Sequence, residues 1–288
     1  MLRYIGPMKK GQASQTAILV CLARAWAHEM LSVPRYSDPT ALALLPEDAR
    51  ARLERHRRRE PAASPWEHIE RTSLDKRAAM MTARTVEIDE SLRGCRTSQV
   101  VILGAGLDGR AWRMDELRDA VVFEVDHPDS QQLKRQRAAA LTLRAREVRF
   151  VPVDFTRDKL GDALAAAGHD PMQPTAWIWE GVVMYLTAEQ VEATLAALSP
   201  RSAPGSRLVI LYTQPALIMR LVGLAVGLLG EPFRSAFTPE AMRTLLSRYG
   251  FAVVRDEGVP QLGAAMSPSI GAATRLMKHL RIVTADRP

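Results

Sequence analysis

The stretch VVILGAGLDGR, from Val100 to Arg110, decides how the rest of the chain is read. Four apolar residues, Val100 to Leu103, predict a strand buried on both faces, as in a parallel sheet. They run into Gly104-Ala105-Gly106, where the chain turns sharply and a ligand can approach backbone that carries no side chain. A helix is expected next, capped near Asp108 and running through Arg113 and Leu117, with free N–H groups at its start. Strand, glycine turn and helix together make a nucleotide-type site.

Read literally, Gly104 to Gly109 is G-x-G-x-x-G, the dinucleotide fingerprint, and that match alone is weak. The next strands decide between ligands. VVFEVDHP (Val121 to Pro128) carries Glu124 and Asp126, and Asp126 lies 20 residues after Gly106. An acid there can accept hydrogen bonds from both hydroxyls of a ribose. VRFVPVDF (Val148 to Phe155) ends in Asp154, and TAWIWEG (Thr175 to Gly181) ends in Glu180. Acids at three successive strand tips would repel a pyrophosphate. They suit a cationic nucleoside with an amino acid tail.

The order and spacing of several pieces resemble the leucine carboxyl methyltransferase family, class I enzymes that include polyketide carboxyl O-methyltransferases. The pieces are ARTVEID (Ala83 to Asp89), VVILGAGLDGR, FEVDHP, VPVDF and WEGVVMYLTAEQVEATL (Trp179 to Leu195), preceded by SQTAILVCLARAWAHE (Ser14 to Glu29) and SDPTA (Ser37 to Ala41). The resemblance covers about Ser14 to Val254. It implies S-adenosyl-L-methionine as cofactor and O-methylation of a small apolar or polyketide-like acceptor, a carboxylate or a phenol. Two positions depart from it: Gly109 stands where the family usually has Thr, and Gln15 where a basic residue is common. Gly109 is what completes the dinucleotide fingerprint, which is discounted on that ground.

The residues carried over are Gly104, Ala105 and Gly106 for the turn, Asp126 for the ribose, and Asp154 with Phe155 near the adenine. Arg84 would grip the cofactor carboxylate, where bidentate geometry suits an arginine. Glu180, flanked by tryptophans and valines, would be costly to bury without a cation, and the ammonium or sulfonium end supplies one. Glu124, two residues before Asp126 and on the same strand face, is the competitor for the ribose. A carboxylate acceptor is already ionised at neutral pH, so no catalytic base is assigned. Tyr185 and His127 remain as candidate acceptor-site residues, His127 as a base should the acceptor be a phenol.

Regular alternation of strands and helices predicts a Rossmann-like, doubly wound α/β fold. The resemblance implies seven mostly parallel strands and an N-terminal helical lid. The division expected is a lid or cap over 1–96 and one compact α/β unit over 97–288. Helices are predicted over Ser14–Leu31, Ala49–Arg58, Thr72–Leu92, Ser130–Arg144, Arg157–Ala167, Ala188–Leu198 and Pro239–Tyr249. Further strands are expected at Arg207–Tyr212, Phe251–Arg255 and within Leu280–Ala285. The apolar stretch between Gln214 and Phe237, with Met219, Leu221 and Leu224, is read as an acceptor wall.

The 288 residues, 47% hydrophobic and 25% charged, suit a soluble globular protein. The formal charge of +7 is read as an arginine-rich surface rather than a nucleic-acid site. The cluster Arg55 to Arg59 lacks the interleaved aromatics that would stack bases. Two cysteines, Cys21 and Cys95, follow no metal spacing, no secretion signal is recognised, and no apolar run is long enough to span a bilayer. A cytoplasmic protein without a membrane partner is expected, and no oligomeric state is assigned. Two rival readings stand: an NAD(P)-dependent oxidoreductase using the Gly104–Gly109 turn, and a non-catalytic protein binding nucleic acid or a partner through the Arg55–Arg59 cluster.

Overall fold

The computed structural model describes residues 15–31, 33–58, 65–95, 97–154, 158–215 and 234–288, with side chains except at 15 and 65–71. Among the described residues four helices precede the sheet: α1 (Gln15–Met30), α2 (Ala41–Leu44), α3 (Glu47–Arg57) and α4 (Pro65–Arg93). The sheet then alternates with helices as β1 (Gln99–Leu103), α5 (Arg110–Arg113), β2 (Val121–Asp126), α6 (Pro128–Ala138), β3 (Glu147–Pro152), α7 (Leu160–Ala166), β4 (Thr175–Trp179), α8 (Ala188–Leu198) and β5 (Arg207–Thr213). The chain closes with α9 (Pro239–Arg248), β6 (Ala252–Gly258), α10 (Val259–Met266), α11 (Pro268–Thr274) and β7 (Leu280–Asp286).

Seven strands form one sheet in the order β3-β2-β1-β4-β5-β7-β6. The first five are parallel, and β7 runs antiparallel between β5 and β6. The order reverses between β1 and β4. In an open α/β sheet that crevice, outside the carboxyl ends of the strands, is where ligands bind.

Both faces of the sheet are covered, which explains why the central strands read as unbroken apolar runs. Val100, Ile102, Val122 and Ile178 point into one core with Leu22, Trp26, Ile88 and other residues of the N-terminal helices. Val101, Leu103, Phe123, Trp177 and Trp179 point the other way, onto α7, α8 and α9. The helices expected as a lid thus share a core with the sheet.

Several elements differ from the sequence reading. The helix after the glycine turn is a single turn, Arg110–Arg113, followed by a 3-10 turn at Asp115–Leu117. Met114 between them is extended, at φ −100° and ψ 109°. Asp108 accepts the Arg110 N–H at 2.8 Å, so that donor is not free at the helix start. The helix α6 stops at Ala138, because the Arg144 and Ala145 N–H groups are drawn to the Ala111 carbonyl. The edge strand β3 stops at Pro152, opposite Asp126 where β2 also ends, and the Val153 N–H still donates to the Asp126 carbonyl at 2.9 Å. The helix α4 begins at Pro65, seven residues early, at a position where a first helical turn accepts proline. The two short helices α10 and α11 carry Pro in their first turns, and each is too short to show a helical period in sequence. The proposed acceptor-wall residues Met219, Leu221 and Leu224 lie outside the described residues.

Candidate functional site

A cavity of about 440 Å³ opens at the carboxyl ends of β1, β2 and β4. Its floor is the glycine turn. Gly104 and Gly106 have φ of +67° and +48°, which L side chains rarely adopt. A Cβ on Gly104 would lie 2.2 Å from Val182, so this turn also needs the space. Gly109 is different. Its φ is −105°, and glycine is needed there because a Cβ would lie 2.0 Å from the Thr40 hydroxyl. The third glycine of the apparent fingerprint therefore accommodates the Ser37–Ala41 loop.

Asp126 lines the cavity beside Gly106. Its two carboxylate oxygens accept N–H groups from Gly106 at 2.5 Å and His127 at 2.6 Å. Burial pushes its carboxyl above the usual Asp range, and these two donors pull it back only in part. Glu124 is removed from contention. It is fully buried, its carboxylate is 2.6 Å from Lys134 Nζ, and burial pushes its carboxyl up. Lys134 in turn lies 5.2 Å from the centre of the Trp112 ring.

Glu180 and Arg84 also line the cavity, as expected, but they face each other. Arg84 donates to Glu180 Oε1 through NH2 at 2.9 Å and Nε at 3.2 Å. Arg110 donates to the other oxygen at 3.1 Å. The cation that the sequence reading sought for Glu180 is supplied by the chain itself. Burial disfavours the Glu180 carboxylate, yet Arg84 and Arg110 outweigh it and hold the carboxyl below its usual range. Because both members of the Arg84–Glu180 pair face the cavity, plus and minus stand side by side there. That is the complement of a zwitterionic amino acid end.

The pair is one end of a buried network that the sequence reading missed. Arg110 is 1% exposed and also binds Asp89 at 2.8 Å and Asp108. Arg113 binds Asp89 at 2.6 Å and lies 3.7 Å from Asp38, which meets Arg24 of α1 at 3.4 Å. Four guanidinium groups face four carboxylates, and each charge has an opposite neighbour. Its sequence signal lies in the already quoted pieces VEID, LDGR and SDPT, each with a charge in an apolar or turn context. α1 also borders the cavity, through Thr16, Ala17, Val20 and Arg24.

The other expected residues divide. Ala105 and Tyr185 line the cavity. Asp154 does not. Its backbone is tied to Asp158, which lines a neighbouring cavity of about 500 Å³. Phe155 lies outside the described residues. His127 is also absent from the lining, and its Nδ1 caps α6 by accepting the Asp129 N–H at 3.3 Å. In the Arg55–Arg59 cluster, Arg57 is spent on Glu29 and Glu54 at 2.5 and 3.1 Å. Among the described residues no group of His, Cys, Asp and Glu could hold a metal ion, and no helix is long and apolar enough to cross a membrane.

The family model for leucine carboxyl methyltransferase matches residues 17–199. A relative from Frankia alni, which carries the name of an S-adenosyl-L-methionine-dependent methyltransferase, is 37% identical over 222 residues, 73% of each chain. One of the same name from Mycolicibacterium smegmatis is 38% identical over 158 residues, 54% of this chain and 53% of the relative. The chain thus spans most of the first relative and about half of the second. Among solved structures, a DUF574 family protein from Streptomyces avermitilis superposes with a TM-score of 0.59 at 14% identity, over 96% of this chain and 98% of its own. A methyltransferase from Thermobifida fusca gives 0.55 at 16% identity, over 97% and 96%. At such identities the likeness is one of fold.

Proposed function

Because the chain belongs to the leucine carboxyl methyltransferase family, we propose that it transfers a methyl group from S-adenosylmethionine to a carboxylate oxygen of a small acceptor with an apolar body. The observation that carries this reading is the Arg84–Glu180 pair facing the same cavity as the Gly104–Gly106 turn and Asp126. S-adenosylmethionine, when bound, would supply an electrophilic methyl on a sulfonium, to which the acceptor oxygen forms a C–O bond as the C–S bond breaks and its electron pair stays on the departing thioether. The residues present fit such a molecule. Asp126 has a carboxylate for the ribose hydroxyls, the glycine turn leaves room against the backbone, and the Arg84–Glu180 pair meets the amino acid end.

The same features disfavour a dinucleotide. The turn is followed by four helical residues, and Asp108 occupies the first donor a phosphate would use. Asp108 and Asp126 add two carboxylates to the cavity lining, which suits a pyrophosphate poorly.

The chain's work is then alignment. Ordering the reactants against each other is worth up to about 7–11 kcal/mol of a bimolecular barrier. None of the described residues lining the cavity is His, Lys or Cys, and a carboxylate acceptor, with a pKa near ~4, needs no base. Both cysteines are free, which agrees with placing the protein in the cytoplasm.

Calorimetry with S-adenosylmethionine, S-adenosylhomocysteine and NADH side by side tests the reading. S-adenosylhomocysteine is expected to bind in the micromolar range, about −8 kcal/mol, and NADH not at all. Binding of NADH without S-adenosylhomocysteine refutes it.

A further inference from the structure

Among the described residues three arginines border the cavity, and two of them are already neutralised. Arg84 pairs with Glu180, while Arg24 pairs with Asp38 and donates to the Leu107 carbonyl. The third, Arg234, has no ion pair among the described residues, and its side chain is exposed.

The backbone that carries Arg234 is pinned. The Arg234 N–H donates to the Met184 carbonyl at 2.8 Å, and the Ser235 hydroxyl donates to the Val183 carbonyl at 2.9 Å. Thr213 at the tip of β5 donates its hydroxyl to the Ser235 carbonyl at 2.9 Å. The segment is therefore stitched to the 3-10 turn Val183–Tyr185 after β4 and to the end of β5, and the guanidinium starts from a fixed point on the cavity wall. Val182, Tyr185 and Leu186 stand on that wall beside it.

We propose that Arg234 is the positioning residue for the methyl acceptor, and that it binds the acceptor's carboxylate while Val182, Tyr185 and Leu186 receive an apolar body. This rests on the reading of the cavity as a methyl-transfer site. An unpaired guanidinium in a concave, partly apolar site is an anion receptor by its own chemistry. Held through one oxygen, a carboxylate keeps the other as nucleophile. Esterification removes the charge, so the product loses the interaction that held the acceptor. Arg234 would thus sort acids from their methyl esters as well as place them.

The test is calorimetry on the full chain loaded with S-adenosylhomocysteine, with octanoate and phenylacetate as probes beside their methyl esters. The acids are expected to bind at least about tenfold more tightly than the esters, the scale of one charged hydrogen bond. Arg234→Gln should erase that preference, Arg234→Lys should keep part of it, and affinity for S-adenosylhomocysteine should stay unchanged in both. Esters that bind as well as acids, acids that do not bind, or acids indifferent to Arg234→Gln overturn the proposal. So does a loss of S-adenosylhomocysteine affinity in Arg234→Gln, which would assign Arg234 to the cofactor. If wild-type protein fails to bind S-adenosylhomocysteine at all, it is the methyl-transfer reading itself that falls.

Discussion

The cavity holds carboxylates of two kinds. Glu180 is wedged between Arg84 and Arg110, whereas Asp126 meets only the backbone N–H groups of Gly106 and His127. A carboxylate surrounded by guanidinium groups has its charge cancelled within the protein, and removing a partner strands the others. A carboxylate held by two N–H groups keeps its charge and spare lone pairs for hydroxyls. One end of the cavity is therefore built for stability and for presenting a matched pair of charges. The other leaves a carboxylate with spare lone pairs on the cavity wall.

The strongest way to break this contrast is at Arg110. Arg110→Met would leave Asp89, Asp108 and Glu180 short of the cation they share. Breaking a buried charge network from one side costs about 3–5 kcal/mol, to be read as a fall in unfolding free energy in denaturant, while Arg110→Lys should recover part of it. A loss under about 1 kcal/mol would mean that the network is not what holds this end together.

Asp126→Asn should act on binding instead. A weakening of S-adenosylhomocysteine by about 1.5–3 kcal/mol is expected in calorimetry, the worth of hydrogen bonds to a charged group. Unfolding free energy should change by less than that.

Acid separates the two ends further. Burial raises the Asp126 carboxyl above its ordinary range, whereas Glu180, Asp108 and Asp89 are held below theirs. Those three are also penalised by burial, but neighbouring arginines outweigh it and hold them low. The stability they contribute is fully present above the unfolded carboxylate range, near ~4, and is lost as pH falls through their lower folded values. Asp126 has the opposite sign, its contribution being lost as pH rises from the unfolded value to its raised folded one. On acidification, affinity for S-adenosylhomocysteine should therefore decline before the fold does, and Asp126→Asn should flatten that decline. Simultaneous loss of both would erase the distinction.

The smallest effect is expected at His127. His127→Ala should leave kcat within a few-fold for any carboxylic acid acceptor, whereas loss of a general base typically costs about 10²–10⁴. Its weak cap on α6 should be worth at most about 1 kcal/mol in a thermal melt. A neutral limb in the kcat–pH profile that vanishes in this variant would reveal base-assisted attack and a phenol or alcohol acceptor.

Much of this architecture is local and was legible along the chain. An apolar run, two glycines and an acid twenty residues on are short-range facts of backbone sterics and strand period, and they sufficed for the sheet, the turn and Asp126. Helices with a clear cap or period also appear where expected, α8 residue for residue. Elements governed by a distant contact do not. The helix after the turn is one turn long, with Arg110 and Arg113 both reaching Asp89 on α4, and α10 and α11 show no periodicity of their own and pack against α4.

The sequence by itself determined which residue types stand at the strand tips and which family they belong to. Only the tertiary structure decided their partners. Glu124 and Asp126 share a strand face, and what separates their roles is Lys134, whose side chain reaches one and not the other. Glu180 and Arg84 lie 96 residues apart, and Gly109 is required by Thr40 from a loop 69 positions earlier. A buried charge needs an opposite one within a few ångströms, and which side chains come that close is set by how helices and sheet pack, not by their spacing along the chain.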